Sequence, residues 1–466
     1  MPRARTLTLG TAITLAAILL GGSCMPAGAV PVFSRKYQTS CQTCHVAFPK
    51  LNPFGEAFRL NGYRMPAEKD NPELVKEKPV SLGSEAYERI WPEAVYPSDL
   101  PSMVPFALVV KMADVYASSH DATGHSLVQN DFQFPQEANL FAAGTLGKTF
   151  SFLGEVTYGE RPDGGSDVEL ERAHLGINSP FGPAHLINFK IGKFAADLGD
   201  GFHEMWVMTD SGVDSLFAFN PIGLHGGADI SDTAAISLPG NVKGLEMYGV
   251  AAHRLFYTVG VVNGISPGTG ETQDGNNRKD VYARVDYKFG GMGLDGDSTG
   301  VTLPPENWRE TSLRVGLLGY LGDGSKIFFP ITDEESGATI NVEDRRFSRV
   351  GLFASLYLGD LNLFGVGMRG TDKLRQLDDT GTLLDERSRS YDAWFVQADY
   401  VIRPPFQVSL RYETVRPADP EAQTLKALNA NFTYLVRANI KAMLEYHRDL
   451  RDSQNYQIAT VLRFAY

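Results

Sequence analysis

The sequence has few cysteines and no long hydrophobic run after its first 30 residues. Three cysteines occur in 466 residues, and one of them, Cys24, lies in the N-terminal leader. The two that remain cannot supply the disulfide framework of a small secreted domain. No later segment reaches the ~20 consecutive apolar residues that a membrane-spanning helix requires. If the chain crosses a membrane, it must therefore do so with strands.

The sequence also lacks an excess of basic residues. Its 43 Lys and Arg residues are outnumbered by 55 Asp and Glu residues, which gives a net charge of −12. Removing the leader takes away Arg3 and Arg5 and leaves a net charge of −14. Because binding to phosphates calls for a basic face, we expect no nucleic-acid partner. The sequence shows neither a zinc-protease helix motif nor a phosphate-binding glycine loop.

The first 29 residues have the pattern of a secretory signal peptide. Two arginines precede an apolar stretch, Leu7–Leu20, and the small-residue triplet Ala27–Ala29 follows it. This order predicts cleavage before Val30 and export of the chain. A lipoprotein signal ending at Cys24 is the alternative, but its leucine, Leu20, is one position too far from the cysteine.

The remaining cysteines belong to a C-x-x-C-H motif, Cys41–His45. This motif is the attachment signature of c-type haem, since two thiols on one turn can each add to a vinyl group while the next residue offers an imidazole to the iron. We therefore predict one covalent haem c, held by Cys41 and Cys44, with His45 as the proximal ligand. A disulfide or a redox motif of thioredoxin type is the alternative, but no βαβ pattern surrounds the motif.

A short helix is predicted directly after the motif. Asn52 and Pro53 are typical of a helix start, and Asn61 followed by Gly62 is typical of a helix end. Between these signals, apolar residues recur at roughly helical spacing, namely Leu51, Phe54, Phe58 and Leu60. This apolar face would pack either on a porphyrin or on protein alone.

The sixth iron ligand is less defined by the sequence. Met65 is our candidate and Met103 the alternative, because a thioether would give a His/Met iron of raised potential. No histidine occurs between His45 and His120, so a second imidazole would have to come from the rest of the chain. An open sixth position is the remaining alternative.

From about residue 104 onwards, apolar and polar residues alternate in short segments separated by Gly, Asp, Asn and Pro clusters. In one such segment Phe406, Val408, Leu410 and Tyr412 alternate with Gln407, Ser409, Arg411 and Glu413. About 16 segments of this kind predict a transmembrane antiparallel β-barrel in the outer membrane. The last segment, Tyr456–Tyr466, ends on an aromatic residue, as such barrels commonly do. A soluble β-solenoid or sandwich is the alternative, but no fixed-period repeat is visible.

The sequence thus predicts a mainly β fold in three parts. Residues 1–29 are the signal peptide, residues 30–103 form a small α-helical c-type haem segment with a linker, and residues 104–466 form the barrel. Four polar loops are predicted to face outside, namely Gly264–Asn277, Gly290–Trp308, Gly322–Glu343 and Thr371–Arg389. The segment Gly199–Gly226 is predicted either to fold into the lumen as a constriction or to contain a further strand.

The N-terminal residues resemble a known family. Pro31–Arg35, Cys41–His45, Pro49–Leu51, Phe54-Gly55 and Leu60–Tyr63 together look like the fused monohaem cytochrome-porins, outer-membrane cytochromes implicated in iron oxidation. The match in specific residues covers about 31–63, and the barrel agrees in kind and size. The resemblance implies an electron conduit, an iron:cytochrome oxidoreductase, that oxidises extracellular Fe(II) and passes electrons to a periplasmic carrier such as a soluble cytochrome.

Three functions are compatible with these features. The first is the electron conduit just described, for which acidic loop residues would gather cations, among them Asp295, Asp297, Asp378, Asp379 and Asp385. The second is a solute-diffusion porin whose haem segment is a plug. The third is electron export to an external acceptor, which uses the same parts in the opposite direction.

Overall fold

The structure is a computed structural model, and it describes most of the chain after the leader. The described residues are 32–37, 39–65, 105–120, 126–146, 149–160, 165–181, 184–198, 207–213, 238–264, 278–322, 329–332, 339–377, 382–418, 424–452 and 454–466. The predicted signal peptide, Met103 and most of the predicted linker lie outside these ranges. No helix within them is long and apolar enough to cross a membrane.

The N-terminal part contains five short elements, which are α1 (Val32–Tyr37), a 3-10 turn (Cys41–Thr43), β1 (His45–Ala47), β2 (Lys50–Leu51) and α2 (Pro53–Leu60). The predicted helix is α2. Its N-cap is Asn52, whose side-chain oxygen accepts the Gly55 N–H at 2.8 Å, and the chain turns at Gly62, where φ is +62°. Both predicted end signals are confirmed, because each acts within a few residues.

The rest of the described chain forms one closed antiparallel β-barrel. Its strands are β3 (Phe106–His120), β4 (Ser126–Leu146), β5 (Phe150–Glu160), β6 (Ser166–Asn178), β7 (Asn188–Ala195), β8 (Asn241–Ala251), β9 (Leu255–Asn263), β10 (Lys279–Gly290), β11 (Glu310–Gly322), β12 (Phe329–Thr332), β13 (Thr339–Gly359), β14 (Leu361–Leu377), β15 (Leu383–Arg403), β16 (Phe406–Pro417), β17 (Leu425–Arg437), β18 (Ile440–Asp449) and β19 (Tyr456–Ala465).

Sixteen of these strands make the wall. The short β12 pairs with the outer end of β13 alone, while β11 pairs directly with β13 along its whole length. The last strand closes the barrel on the first, with Val461 opposite Ala113. The predicted strand number is therefore confirmed.

The alternating pattern of each strand separates a lipid-facing surface from the lumen. On β10, Val285 and Tyr287 are exposed on the outside of the wall, whereas Arg284, Asp286 and Lys288 are buried inside it. A barrel that faced water on its outside would not expose an apolar row of this kind on strand after strand, and lipid is the solvent that suits it. The two-residue period of the sequence therefore predicted correctly which strand residues face the lipid and which face the lumen.

The two ends of the barrel differ in their connections. The chain terminus lies at the same end as several short turns, among them 252–254 and the single residue Asp360. By the usual arrangement this end faces the periplasm. The predicted external loop Gly290–Trp308 is wrong in position, because it joins β10 to β11 at this periplasmic end and carries Asp295 and Asp297 with it. The composition of this segment predicts a loop but not the end of the barrel at which the loop lies. That end is determined by the order of the strands.

The predicted loop Thr371–Arg389 is wrong in extent. β14 continues to Leu377 and β15 already begins at Leu383, and the two strands stay paired as far as these residues. The predicted loop Gly322–Glu343 likewise includes β12 and the start of β13. Polar residues in these segments belong to strands that are longer than most others in the barrel. Polarity alone therefore could not predict where these strands end.

Residues 39–65, which we call the plug, lie inside the barrel. Their partners are inward-facing groups near the periplasmic ends of strands on opposite sides of the wall. Arg64 donates to the carbonyl of Phe150 at the start of β5 at 2.8 Å, and Gln407 at the start of β16 donates to the carbonyl of Val46 at 3.0 Å. These contacts place the plug in the lumen, near the periplasmic end of the barrel.

Candidate functional site

A cavity of about 410 Å³ separates the plug from the inner wall of β3–β6. Cys41, Cys44, His45 and Met65 all line it. Sequence reasoning had connected the first three through their motif and had added Met65 only as a candidate. The structure brings these four side chains to one space, and this space is within the size range of cofactor pockets, ~300–1,000 Å³.

The turn that carries the two cysteines is held by the start of α2. The side chain of Asn52 donates to the carbonyls of Gln42 at 3.2 Å and Thr43 at 3.1 Å, and its backbone N–H donates to the carbonyl of Cys44 at 2.9 Å. Gly55 lets the helix approach this closely, because a β-carbon there would lie 2.0 Å from the Cys44 carbonyl oxygen. The helix cap and the motif therefore form one unit.

His45 lines the cavity, and one of its ring nitrogens holds the orientation of the ring. Its Nδ1 is 3.0 Å from the carbonyl oxygen of Pro49. This contact fixes Nδ1 as the protonated nitrogen and leaves Nε2 with a free lone pair. Burial lowers the pKa of His45 to about 4, so the imidazole is neutral at ordinary pH, which is the form that ligates metals.

The two thiols are free and are not joined in a disulfide. Burial raises the pKa of Cys44 to about 12 and also raises the pKa of Cys41. Redox-active C-x-x-C motifs need the opposite, a thiol whose pKa is lowered below its ordinary value. The surroundings therefore argue against a thioredoxin-type role for this motif.

Aromatic side chains of α1 and of the plug form one side of the cavity. Phe33 stacks on Tyr63 with ring centroids 5.0 Å apart, and Phe58 meets Phe33 edge-on at 5.3 Å. Tyr37 completes this group from α1. Sequence reasoning missed α1, although Phe33 and Tyr37 are four residues apart and would have indicated one face of a helix.

The predicted apolar face of α2 is divided between two surroundings. Leu51 and Phe58 line the cavity, whereas Leu60 packs against Tyr248 and Phe256 of the barrel wall. This face is therefore shared between the cavity and the barrel wall.

Met65 is the thioether that lines the cavity, and the side-chain amide of Asn61 donates to its backbone carbonyl at 3.1 Å. Within the described ranges, His45 contributes the only imidazole to the cavity lining. No group of three or more His, Cys, Asp or Glu side chains in the same ranges could hold a metal ion directly. A second imidazole from the barrel is therefore not presented to this space.

Buried ion pairs fix the plug to the wall. Lys50 contacts the carboxylate of Asp399 and donates to the side chain of Asn362 at 2.7 Å, and Arg59 donates to Asp197 at 2.9 Å. These charged groups are almost wholly buried. Because a buried charge is tolerated only with a partner, the wall is built to receive this plug.

A second lumen segment, Val207–Val213, contacts β3 and β18. Asp210 pairs with Lys111 at 2.8 Å, and the carboxylate of Glu445 accepts the backbone N–H groups of Asp210 at 2.6 Å and Ser211 at 2.9 Å. Met208 packs with Val46 and Ala47 of the plug. These seven residues lie in the lumen and form no strand there, as the first of the two predictions had it; the rest of Gly199–Gly226 lies outside the described residues.

No protein-family profile matches the chain, and no curated protein matches it. Among solved structures, the chain is similar to OmpF of Salmonella typhi (11% identity, 78% of this chain and 97% of that chain, TM-score 0.47). It is also similar to an anion-selective porin of Comamonas acidovorans (12% identity, 78% and 98%, TM-score 0.47) and to a loop-deletion mutant of OmpT of Vibrio cholerae (12% identity, 78% and 98%, TM-score 0.45).

At these identities the likeness is one of fold and says nothing of what this chain binds. The barrel itself has the construction of bacterial outer-membrane proteins, which is an even number of antiparallel strands, an apolar outer surface and a polar lumen. The chain is a porin-like β-barrel of the bacterial outer membrane.

Proposed function

We propose that this chain is an outer-membrane electron conduit with one covalent c-type haem in its lumen. It takes electrons from an extracellular donor, Fe(II), and passes them to a periplasmic carrier such as a soluble cytochrome. The observation that carries this proposal is that Cys41, Cys44, His45 and Met65 line one cavity inside the barrel. The donor and the direction of flow come from the resemblance of residues 31–63 to the fused monohaem cytochrome-porins.

The residues present fit a haem. Two free thiols and a neutral imidazole with its Nε2 unused are the donor set that c-type attachment needs. The aromatic side of the cavity suits the faces of a porphyrin, and Arg172 on the other side places a positive charge in the lining, where it suits the haem carboxylates. When bound, the haem supplies a one-electron couple.

Each part of the chain then has a definite task. Cys41 and Cys44 tether the cofactor, His45 ligates its iron, and Pro49 orients the imidazole. Met65 is the candidate sixth ligand. The ion pairs of Lys50 and Arg59 keep the plug at a constant distance from the wall, which matters because electron transfer depends steeply on distance. The plug thus offers a periplasmic partner a redox centre at a fixed position, inside a barrel that also opens to the outside of the cell.

The first experiment is the visible spectrum of the oxidised protein in detergent before and after addition of Fe(II). We expect sharp ferrous-haem bands to appear promptly. The variant His45→Ala should bind the cofactor without cycling, and it serves as the control for reduction by free iron. A wild-type haem that is reduced by dithionite alone would overturn the Fe(II) donor and favour electron export.

A solute-diffusion porin with a haem-bearing plug is the second candidate. The barrel on its own favours it over the first, because a wall of 16 strands is the size at which porins enclose an aqueous channel, and the inward-facing residues of β10, β11 and β16 include Arg284, Arg314 and Arg411. We expect conductance to separate the two. The conduit predicts an intact protein closed to small ions and a channel that opens after deletion of 30–101; an intact protein that already conducts sugars or ions freely supports the porin.

A further inference from the structure

We propose that the outward surface of β13–β16 binds the phosphate groups of a phosphorylated lipid in the outer leaflet of the membrane. The basic groups of this surface are all exposed, and they are Arg346 on β13, Arg369 and Lys373 on β14 and Arg416 on β16. They lie toward the external ends of these strands, away from the periplasmic turn at Asp360. The inference goes beyond the proposed function, because it requires neither a haem nor an electron donor.

These basic groups face the lipid and not the lumen. Their neighbours in sequence are buried inside the barrel, as Asp372 is beside Lys373 and Val415 is beside Arg416. Because successive side chains of a strand point to opposite faces of the sheet, Lys373 and Arg416 point outward. Arg346 lies opposite Lys373 in the strand pairing and therefore shares its face.

A row of charged groups crosses the outward surface at one level. Asp392 of β15 lies opposite Arg369 on one side and opposite Arg416 on the other. The guanidinium of Arg369 is 3.7 Å from the carboxylate of Asp392. A single carboxylate thus lies between two guanidinium groups, and the row as a whole is positive.

This row marks the outer edge of the apolar band. Between Asp392 and the exposed Arg403 at the periplasmic end of β15, the outward residues are all uncharged, namely Trp394, Val396, Ala398, Tyr400 and Ile402. With the usual strand tilt this stretch spans roughly 25–30 Å, close to the height of the apolar band of such barrels. Trp394 also packs on Tyr412 with ring centroids 5.3 Å apart, as is typical of a membrane interface. The row therefore lies at the level of the lipid head groups.

Farther out, the surface offers hydroxyl groups and two more cations. Thr371 lies opposite Ser348 and Ser390, and its hydroxyl is 3.1 Å from that of Ser390. Two residues beyond this hydroxyl row, Arg346 and Lys373 lie directly opposite each other. Like charges in this arrangement repel, so an anion that contacts both is favoured. Guanidinium and ammonium groups are the usual partners of phosphate in proteins.

The charge of this surface is opposite in sign to that of the chain. The chain has a net charge of −12, whereas the exposed outward groups that the structure describes at this end of β13–β16 are four basic residues and two acidic ones, Asp392 and Glu386. Beside them on the membrane side are Val350 and Leu352, which are 60% and 62% exposed. Basic groups next to an exposed apolar surface suit a lipid, whose phosphates meet the cations while its acyl chains cover the apolar side chains.

The test is the binding of lipid A, a glycolipid with two phosphate groups, to the full-length protein in a neutral detergent, measured by native mass spectrometry. Arg346→Gln with Lys373→Gln should weaken binding at least about tenfold, because two charges beside the phosphates are removed. The matched control is Arg309→Gln with Arg403→Gln, which removes two exposed positive charges at the periplasmic end. This control should bind lipid A as the wild type does.

Two results would overturn the site, namely equal affinity in the wild type and the Arg346 and Lys373 double variant, or an equal loss in the two double variants. Inorganic phosphate at the same concentration should not displace the lipid, since it makes no apolar contact. Displacement would show a simple anion site and would overturn the lipid as its occupant. If the double variant does not fold, as judged by heat-dependent mobility on gels, Lys373→Gln alone replaces it and should also bind lipid A more weakly than the wild type.

Discussion

Met65 is a single thioether at the edge of a cavity that holds the residues of a haem motif. If it ligates the iron, Met65→Ala should lower the midpoint potential and change the ferrous spectrum, because a thioether ligand raises the potential. Met208→Ala is the matched control, since Met208 is buried near Val46 and Ala47 but does not line the cavity. Potentiometry of both variants checks this, and an unchanged Met65→Ala spectrum would remove the residue as a ligand.

A second prediction at this scale concerns His253 in the turn between β8 and β9. Its Nδ1 lies 2.7 Å from Asp295, and this hydrogen bond raises the pKa of His253 above its ordinary value of 6.5, with Asp297 adding to the effect and Arg254 opposing it. The stabilisation from the charged pair is thus complete below about pH 6.5 and is lost as the pH rises through the raised pKa.

The size of that effect is small, because His253 is more than half exposed and water screens the pair. A titration of His253 by nuclear magnetic resonance measures it directly. Asp295→Asn should return the midpoint to the ordinary value of histidine. A midpoint that does not move on this substitution would show that Asp295 is not the cause.

At the scale of elements, the pair of Lys50 on β2 and Asp399 on β15 joins the plug to the wall. Both side chains are 4% exposed, so removing one partner leaves a buried charge, at a cost of about 3–5 kcal/mol. We expect Asp399→Leu alone to loosen the plug and raise conductance. Combining it with Lys50→Met should restore a closed barrel, because no charge is then left unpaired; equal conductance in the single and double variants would contradict this.

The elements that the sequence predicted are those governed by near neighbours. Helix α2 follows from its cap residues, and the strands follow from alternation, as on β16, where Gln407 and Arg411 face inward. The sequence could predict only one side of the cavity. Cys41–His45 is a local motif, whereas Asn139 and Arg172 line the other side from strands ~100 residues away in the chain. Contacts such as Lys50 to Asp399 join residues 349 positions apart, and no local pattern encodes them.

At the scale of the whole molecule, the barrel closes through its own strand pairing. The ladder of 16 strands is continuous, and the cavity lies between the plug and part of the wall. We therefore expect Cys41→Ala with Cys44→Ala to abolish haem attachment while leaving the barrel folded. Heat-dependent gel mobility and far-ultraviolet circular dichroism measure this. A variant found in the unfolded form would mean that the haem contributes to the stability of the barrel.

The whole molecule also explains the mixed character of the lumen. Its side along β7–β16 contains a packed apolar cluster that includes Tyr282, Tyr320 and Phe353, which an open channel would not need. The side along β3–β6 is where the cavity lies. The lumen is therefore asymmetric. The pattern of any single strand could not predict which side of the lumen is filled by side chains and which side contains the cavity.

The contacts of the plug with opposite walls have a consequence for biogenesis. Residues 39–65 contact both β5 and β16, so the finished barrel encircles them. The wall is completed when β19, the last strand made, meets β3. Under the proposed function, covalent loading of the plug before that closing step avoids passing a haem into the finished barrel, so the topology links haem attachment to barrel assembly.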